Sequence, residues 1–166
     1  MPLDLARLYD EHAPSLYAFL LNLTRSEVDS RDAVQEVFVR LAQGPGRFEA
    51  MRDERAFLLQ LAHNIAIDAL RRRTAHSKAV ERAGREPMEL FIPAVFPDEQ
   101  AFRDAVSTAL SILPEEQRAV VHLKIWEEQT FAEIAETLGI PANTAASRYR
   151  YALDKLDALL RPICAP

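Results

Sequence analysis

An all-α fold, two small helical domains joined by a flexible linker, is what this sequence predicts, and three observations carry the prediction. Only four glycines stand among 166 residues rich in Ala, Leu, Glu and Arg, a composition that favours helix nearly throughout. Apolar residues recur at spacings of three and four on both sides of a central stretch, 74–97, where that period dissolves. In the second set, residues 130–153 carry the punctuation of a helix-turn-helix. The expected division is a first domain over 1–75, a linker over 76–98 and a second domain over 99–166.

The first helix is expected over 3–23, with Leu5, Leu8, Tyr9, Leu16, Tyr17 and Leu20 on one side and Pro14 kinking or splitting it. Asp29 or Ser30 is the expected cap of a helix at about 31–42, which stops at Gln43-Gly44-Pro45-Gly46. Ala33, Val34, Val37, Phe38 and Leu41 form its apolar face and leave Asp32, Gln35, Glu36 and Arg40 largely outside. Asp53 opens a third helix, about 54–73, whose stripe is Phe57, Leu58, Leu61, Ala62, Ile65 and Ala69. Opposite that stripe Asn64, Asp68, Arg71 and Arg72 fall at i, i+4, i+7 and i+8. Asn and Arg can bond exposed base edges, and the Arg71-Arg72-Arg73 run can grip phosphate. Phe57 can stack on an unpaired base, although a core role suits a lone aromatic better.

From Thr74 to Pro97 charged residues alternate with isolated apolar ones, and Pro87, Pro93 and Pro97 bracket the run MELFIPAVF within 86–97. That composition reads as linker, and the run suits docking or inert packing equally. Helices follow at about 98–111, 114–127, 131–138 and 141–161, the second opened by Pro114 with Glu115 and Glu116 at the positive end of its dipole.

Thr130 and Glu133 form a T-x-x-E capping box before Phe131, Ile134, Ala135 and Leu138, which share one face. Gly139 supplies the left-handed turn, and Pro141 suits the start of the next helix, where no N–H is needed. Along that helix Ala145, Tyr149, Ala152, Leu156 and Leu159 make the buried stripe. Its other side presents Asn143, Thr144, Ser147, Arg148, Arg150 and Tyr151, hydrogen-bonding groups followed by cations. A purely structural αα-hairpin has the same skeleton. The donor-bearing face favours a helix lying in a major groove, first residues at base edges and arginines at phosphates.

Net charge is −5, yet residues 63–85 carry +4 and residues 141–161 carry +2, leaving −11 on the remainder. Two basic islands on an acidic body predict two nucleic-acid contacts and a separate protein-facing surface. Long-range attraction to DNA is weak for such a chain, so something else must deliver it. His12, His63, His76 and His122 are scattered without metal-ligand spacing, and Cys164 has no ligand companion; no catalytic residue, metal or cofactor is expected. No apolar run approaches the roughly 20 residues that span a bilayer, and the acidic, amphipathic start is unlike a secretory signal. A cytoplasmic protein without membrane insertion is the expectation.

Three runs together carry a resemblance. Asp32-Ala-Val-Gln-Glu-Val-Phe-Val-Arg-Leu41, the run from Ala56 to Arg73, and Leu113-Pro-Glu-Glu-Gln-Arg118 with the 130–156 hairpin resemble bacterial RNA polymerase sigma factors of the extracytoplasmic-function (ECF) group. The resemblance implies a transcription initiation factor that binds core RNA polymerase, recognises and melts the −10 element, and binds the −35 element of promoter DNA. Asp32, Gln35, Glu36, Phe38 and Leu41 then match the polymerase-docking surface. Phe57, Asn64, Asp68, Arg71, Arg72 and Arg73 match the −10 helix. Asn143, Thr144, Ser147, Arg148 and Arg150 match the −35 helix. Phe57 stands where the family usually has Trp, and Ala145-Ala146 where Val and often Lys are usual. An anti-sigma protein is a further partner that membership implies. The rival reading is a stand-alone helix-turn-helix regulator that binds duplex DNA.

Overall fold

The structure, a computed structural model, describes residues 2–49, 51–77 and 100–164. Among them there are eight helices and no strand: α1 Leu5–Thr24, α2 Glu27–Gln43, α3 Pro45–Glu49, α4 Glu54–Ser77, α5 Gln100–Ile112, α6 Glu115–Ile125, α7 Phe131–Leu138 and α8 Ala142–Cys164. The MELFIPAVF run, and all of the expected linker beyond Ser77 up to 98, lie outside the described residues.

Asp4 caps α1 by accepting the Arg7 N–H at 3.0 Å. Of the kink or split expected at Pro14, the split does not occur: α1 runs unbroken through it. Pro14 and Asp10, whose carbonyl loses its partner, are both exposed, so water can satisfy that oxygen. Meanwhile Leu8, Leu16, Phe19, Leu20 and Leu23 bury the other face, at about 1.5–3 kcal/mol for each fully buried side chain. Arg25 ends α1 in the left-handed region at φ 59°, donating its N–H to the Leu21 carbonyl at 2.9 Å.

α2 begins earlier than expected. Ser26, rather than Asp29 or Ser30, is its cap, accepting the Asp29 N–H at 3.2 Å. Glu27 and Asp29 then fall in the first turn, where the dipole favours acids. The Gly44-Pro45-Gly46 stop holds one more short helix, α3, which buries Phe48 beneath Phe57, ring centroids 5.7 Å apart and edge to face.

In the second set Pro114 starts α6, and Thr130 caps α7 by accepting the Glu133 N–H at 3.2 Å. Gly139 takes φ 68°, the left-handed conformation that the turn demands. The α8 stripe is buried at Ala145 and Ala152, whereas Leu159, expected inside, is 36% exposed because α8 runs on past the helices that cover its first half.

The two sets do not keep separate cores. α1 lies against α6 and α4 against α7. Ala119, Val120, Leu123, Ile134 and Ala145 join the leucines of α1, α2 and α4 in one buried cluster, and a smaller cluster of Leu110, Leu113, Val121 and Ala152 sits beneath α5. Polar groups cross the seam as well. Buried Asn22 places its amide nitrogen 2.7 Å from Nδ1 of buried His122. The Arg118 guanidinium donates to the carbonyls of Asn22 at 3.0 Å, Leu23 at 2.9 Å and Leu113 at 2.5 Å. Arg55 of α4 pairs with Glu127, Nε to Oε2 at 2.5 Å.

Candidate nucleic-acid interface

Three surface patches follow from this arrangement. On α2 the apolar stripe turns Val34, Val37 and Leu41 inward, which leaves Asp32 and Gln35 exposed and Glu36 and Phe38 half-buried. Glu36 accepts from Arg40 Nε at 2.9 Å, so the acid is held along its own helix. Tyr9 packs on Phe38 with centroids 5.0 Å apart, and a depression of about 450 Å³ opens beside it between Tyr9, Tyr17, Arg31 and Gln35. An apolar shelf edged by carboxylate and amide groups can receive a partner surface that carries cations. Leu41, expected with these residues, is buried in the core and offers no surface of its own.

On α4, burial of Leu58, Leu59, Ala62, Ile65 and Ala66 turns Asn64, Asp68, Arg71 and Arg72 to solvent in one row. Arg73 reaches back to form an ion pair with Asp29 at the start of α2. Phe57 is half-buried between Phe48 and the core, so its ring already has a partner.

On α8, Asn143 and Arg150 are exposed, while Thr144 and Ser147 are half-covered. Arg148 is 29% exposed and leans toward Glu116 of α6, Nη2 to Oε2 at 3.7 Å. Arg148 and Arg71 line one cleft of about 770 Å³, together with His63, Ile67, Leu138, Ile140 and Glu116. Burial pushes the His63 pKa below its ordinary value although a hydrogen bond donated to Asn64 opposes it, and the charges of Arg71 and Arg148 push it the same way as burial. The imidazole is therefore neutral in this setting and adds nothing to the positive field.

Among the described residues, Glu11, His12 and Glu54 are the one group whose ligand atoms lie within 4.8 Å of one another. Arg7 spans both carboxylates, at 2.8 Å and 2.9 Å, so a guanidinium already supplies the countercharge there.

Residues beyond the sequence reading matter here. Arg118 stands in the Leu113–Arg118 run, but nothing in that run says it reaches α1. Asn22 and His122 carry a weak signal: each is a polar residue flanked on both sides by apolar ones, LLNL and VVHL. Arg55 and Glu127 carry none.

Comparison with known proteins accounts for both helical sets. Residues 8–76 match Sigma-70 region 2 and residues 109–158 match Sigma-70, region 4. The chain is 34% identical over 160 residues to the ECF RNA polymerase sigma factor SigL of Mycobacterium tuberculosis, covering 94% of this chain and 88% of that one. It is 30% identical over 159 residues to the ECF RNA polymerase sigma factor RpoE of Cereibacter sphaeroides, covering 91% and 83%. Among solved structures, the sigma factor RpoE in complex with the anti-sigma factor NepR from Bartonella quintana superposes with a TM-score of 0.76 over 94% of this chain and 96% of that one, at 22% identity. That last likeness is one of fold. No helix among the described residues is long and apolar enough to cross a membrane.

Proposed function

Since the chain belongs to the ECF group of sigma-70 factors, which direct RNA polymerase to promoters, we propose how its surfaces divide that work. Residues 1–75 bind core polymerase and the −10 element, 76–98 link, and 99–166 bind the −35 element. Asp32, Gln35, Glu36 and Phe38, with Leu41 beneath, dock on the polymerase. Asn64, Asp68, Arg71, Arg72 and Arg73 hold the −10 strand as the duplex opens. Asn143, Thr144, Ser147, Arg148 and Arg150 enter the −35 major groove. Phe57 contributes by fixing the start of α4 rather than by stacking on a base.

The observation that carries this reading is the open row on α4. Donors and cations face solvent at helical spacing while the opposite stripe is sealed. Unstacking a base step costs a few kcal/mol, and a face that captures the freed strand lowers that cost by differential binding, without covalent chemistry. The chain therefore turns over no substrate, and it works in the cytoplasm, where the polymerase is. A net negative charge limits binding to nonspecific DNA, because the polymerase supplies delivery. The solved relative is in complex with an anti-sigma factor, and a partner of that kind would keep this factor idle by covering these surfaces.

Run-off transcription tests the proposal. The chain with core polymerase should start transcripts at defined promoters, and neither should do so alone. Tight duplex binding without polymerase, and no defined start with it, would instead identify a stand-alone regulator.

A further inference from the structure

We propose that Tyr151 is a specificity-determining residue of the −35 contact, its ring taking up the 5-methyl group of a thymine at the far end of the base row that α8 reads. The proposal rests on the reading of α8 as the helix of the −35 major groove, and adds to it one residue and one base.

Two tyrosines stand close together on α8 and end on different sides of it. Tyr149 is half-buried and its ring packs on Phe131 with centroids 5.7 Å apart, so it belongs to the interior of the hairpin. Tyr151 is 61% exposed and stacks on no other ring among the described residues. A single exposed aromatic needs no explanation by itself, but this one extends a row. It stands at i+7 from Thr144 and i+4 from Ser147, which puts all three on one side of the helix.

Cations flank that row. Exposed Arg150 precedes Tyr151 by about 100° around the helix, and exposed Lys155 follows it one turn on toward the other side. A helix about 10–12 Å across fills a major groove about 12 Å wide, so side chains on its two flanks meet the phosphate walls. Ser147 and Tyr151, between those flanks, meet base edges. Ala142 and Ala146 reach no further than a methyl and leave the approach clear. Asp154, exposed on the next turn, brings a carboxylate that phosphates repel and marks where the helix leaves the groove.

Spacing and chemistry then select the base. Seven residues at about 1.5 Å rise cover roughly 10 Å, or about three base steps of 3.4 Å, so Tyr151 faces a pair about three steps from the one that Thr144 faces. Asn143, Thr144, Ser147 and Arg150 offer hydrogen-bonding groups, whereas the Tyr151 ring is the extended apolar surface of the row. Thymine alone presents an apolar group in the major groove, its 5-methyl.

The test measures binding of the full chain with core RNA polymerase to a promoter at which it starts transcripts. Each thymine of the −35 element is replaced in turn by uracil, which lacks only the methyl. One such change should weaken wild-type binding about fourfold, the worth of one buried methyl-sized group. Tyr151→Ala should weaken binding to the thymine promoter by at least as much and bind thymine and uracil forms within twofold of each other. Its salt dependence should be unchanged, because a neutral contact releases no counterion. Tyr151→Phe, which keeps the ring, should keep the preference for thymine. Indifference of the wild type to every uracil, or a thymine preference retained by Tyr151→Ala, overturns the proposal. Loss of binding in Tyr151→Phe equal to that in Tyr151→Ala, on all sequences, overturns it too and assigns the hydroxyl to a phosphate. In each of these cases the reading of α8 stands as long as other −35 base changes still weaken wild-type binding. If no −35 base change does so, that reading falls and this proposal with it.

Discussion

Acidification should weaken this molecule through His122, and the size of the effect follows from its surroundings. The ring is 2% exposed, lies 5.4 Å from Phe19 and stacks at 5.3 Å on Trp126. Its Nδ1 accepts from the Asn22 amide, so a proton there would remove the lone pair that makes the bond. Burial, with a smaller contribution from the nearby charge of Arg55, lowers its pKa to about 3. The folded chain thus prefers the neutral ring, whereas the unfolded chain protonates near the ordinary value of about 6.5. His122 costs the fold nothing above about pH 6.5, and stability is lost progressively as pH falls from there toward about 3. At pH 5.5 the loss is on the order of 1 kcal/mol, which for a chain of this size lowers Tm by roughly 2–4 °C. His63 adds to the loss with the same sign, since its pKa is also lowered. His122→Gln isolates the larger contribution, because glutamine can still accept from Asn22 but does not titrate. Thermal unfolding followed by circular dichroism at pH 7.5, 6.5 and 5.5 should show a shallower pH slope for the variant. Equal slopes, or an NMR titration of His122 near 6.5, would refute the reasoning.

Three further outcomes test the proposed surfaces. Arg71→Ala with Arg72→Ala should reduce open-complex formation, read by permanganate footprinting, at least tenfold more than it reduces polymerase affinity; equal losses would contradict the assignment to the −10 strand. Gln35→Ala with Phe38→Ala removes the edge and the shelf against Tyr9 and should weaken core polymerase binding by about 1–3 kcal/mol in a competition titration. Unchanged affinity would move the docking surface elsewhere. Arg148→Ala should weaken promoter binding by the holoenzyme on all sequences and lower the salt dependence by about one contact; altered base preference instead would put Arg148 at a base edge.

Local signals were legible wherever chemistry and helix register agree over a few residues. Thr130, Glu133 and Gly139 punctuate α7 as their side chains require, and the row Asn64, Asp68, Arg71 and Arg72 is exposed because Ile65 and Ala66 are buried on the same turns. The misjudged ends have local causes with a wider judge. Asp29 and Ser30 are good caps, but Ser26 comes first and its hydroxyl takes the Asp29 N–H. Pro14 is a helix breaker whose penalty stays small on a wet face while both neighbouring turns are anchored in the core. Leu159 satisfied the α8 period, yet nothing arrives to cover it.

The sequence by itself determined an all-α chain in two sets, the hairpin, the three families of candidate residues and the resemblance that ties them to promoters. Those features depend on periodicity, caps and turn geometry, which act over a few residues and are written where they act. Only the tertiary structure decided that Arg118 would serve the end of α1, that Asn22 would meet His122 a hundred positions away, and that Arg71 and Arg148 would face one cleft. Pairings of that kind depend on how two apolar faces dock. Periodicity shows that each face exists, but many partners could cover it; shape and the satisfaction of buried polar groups choose among them.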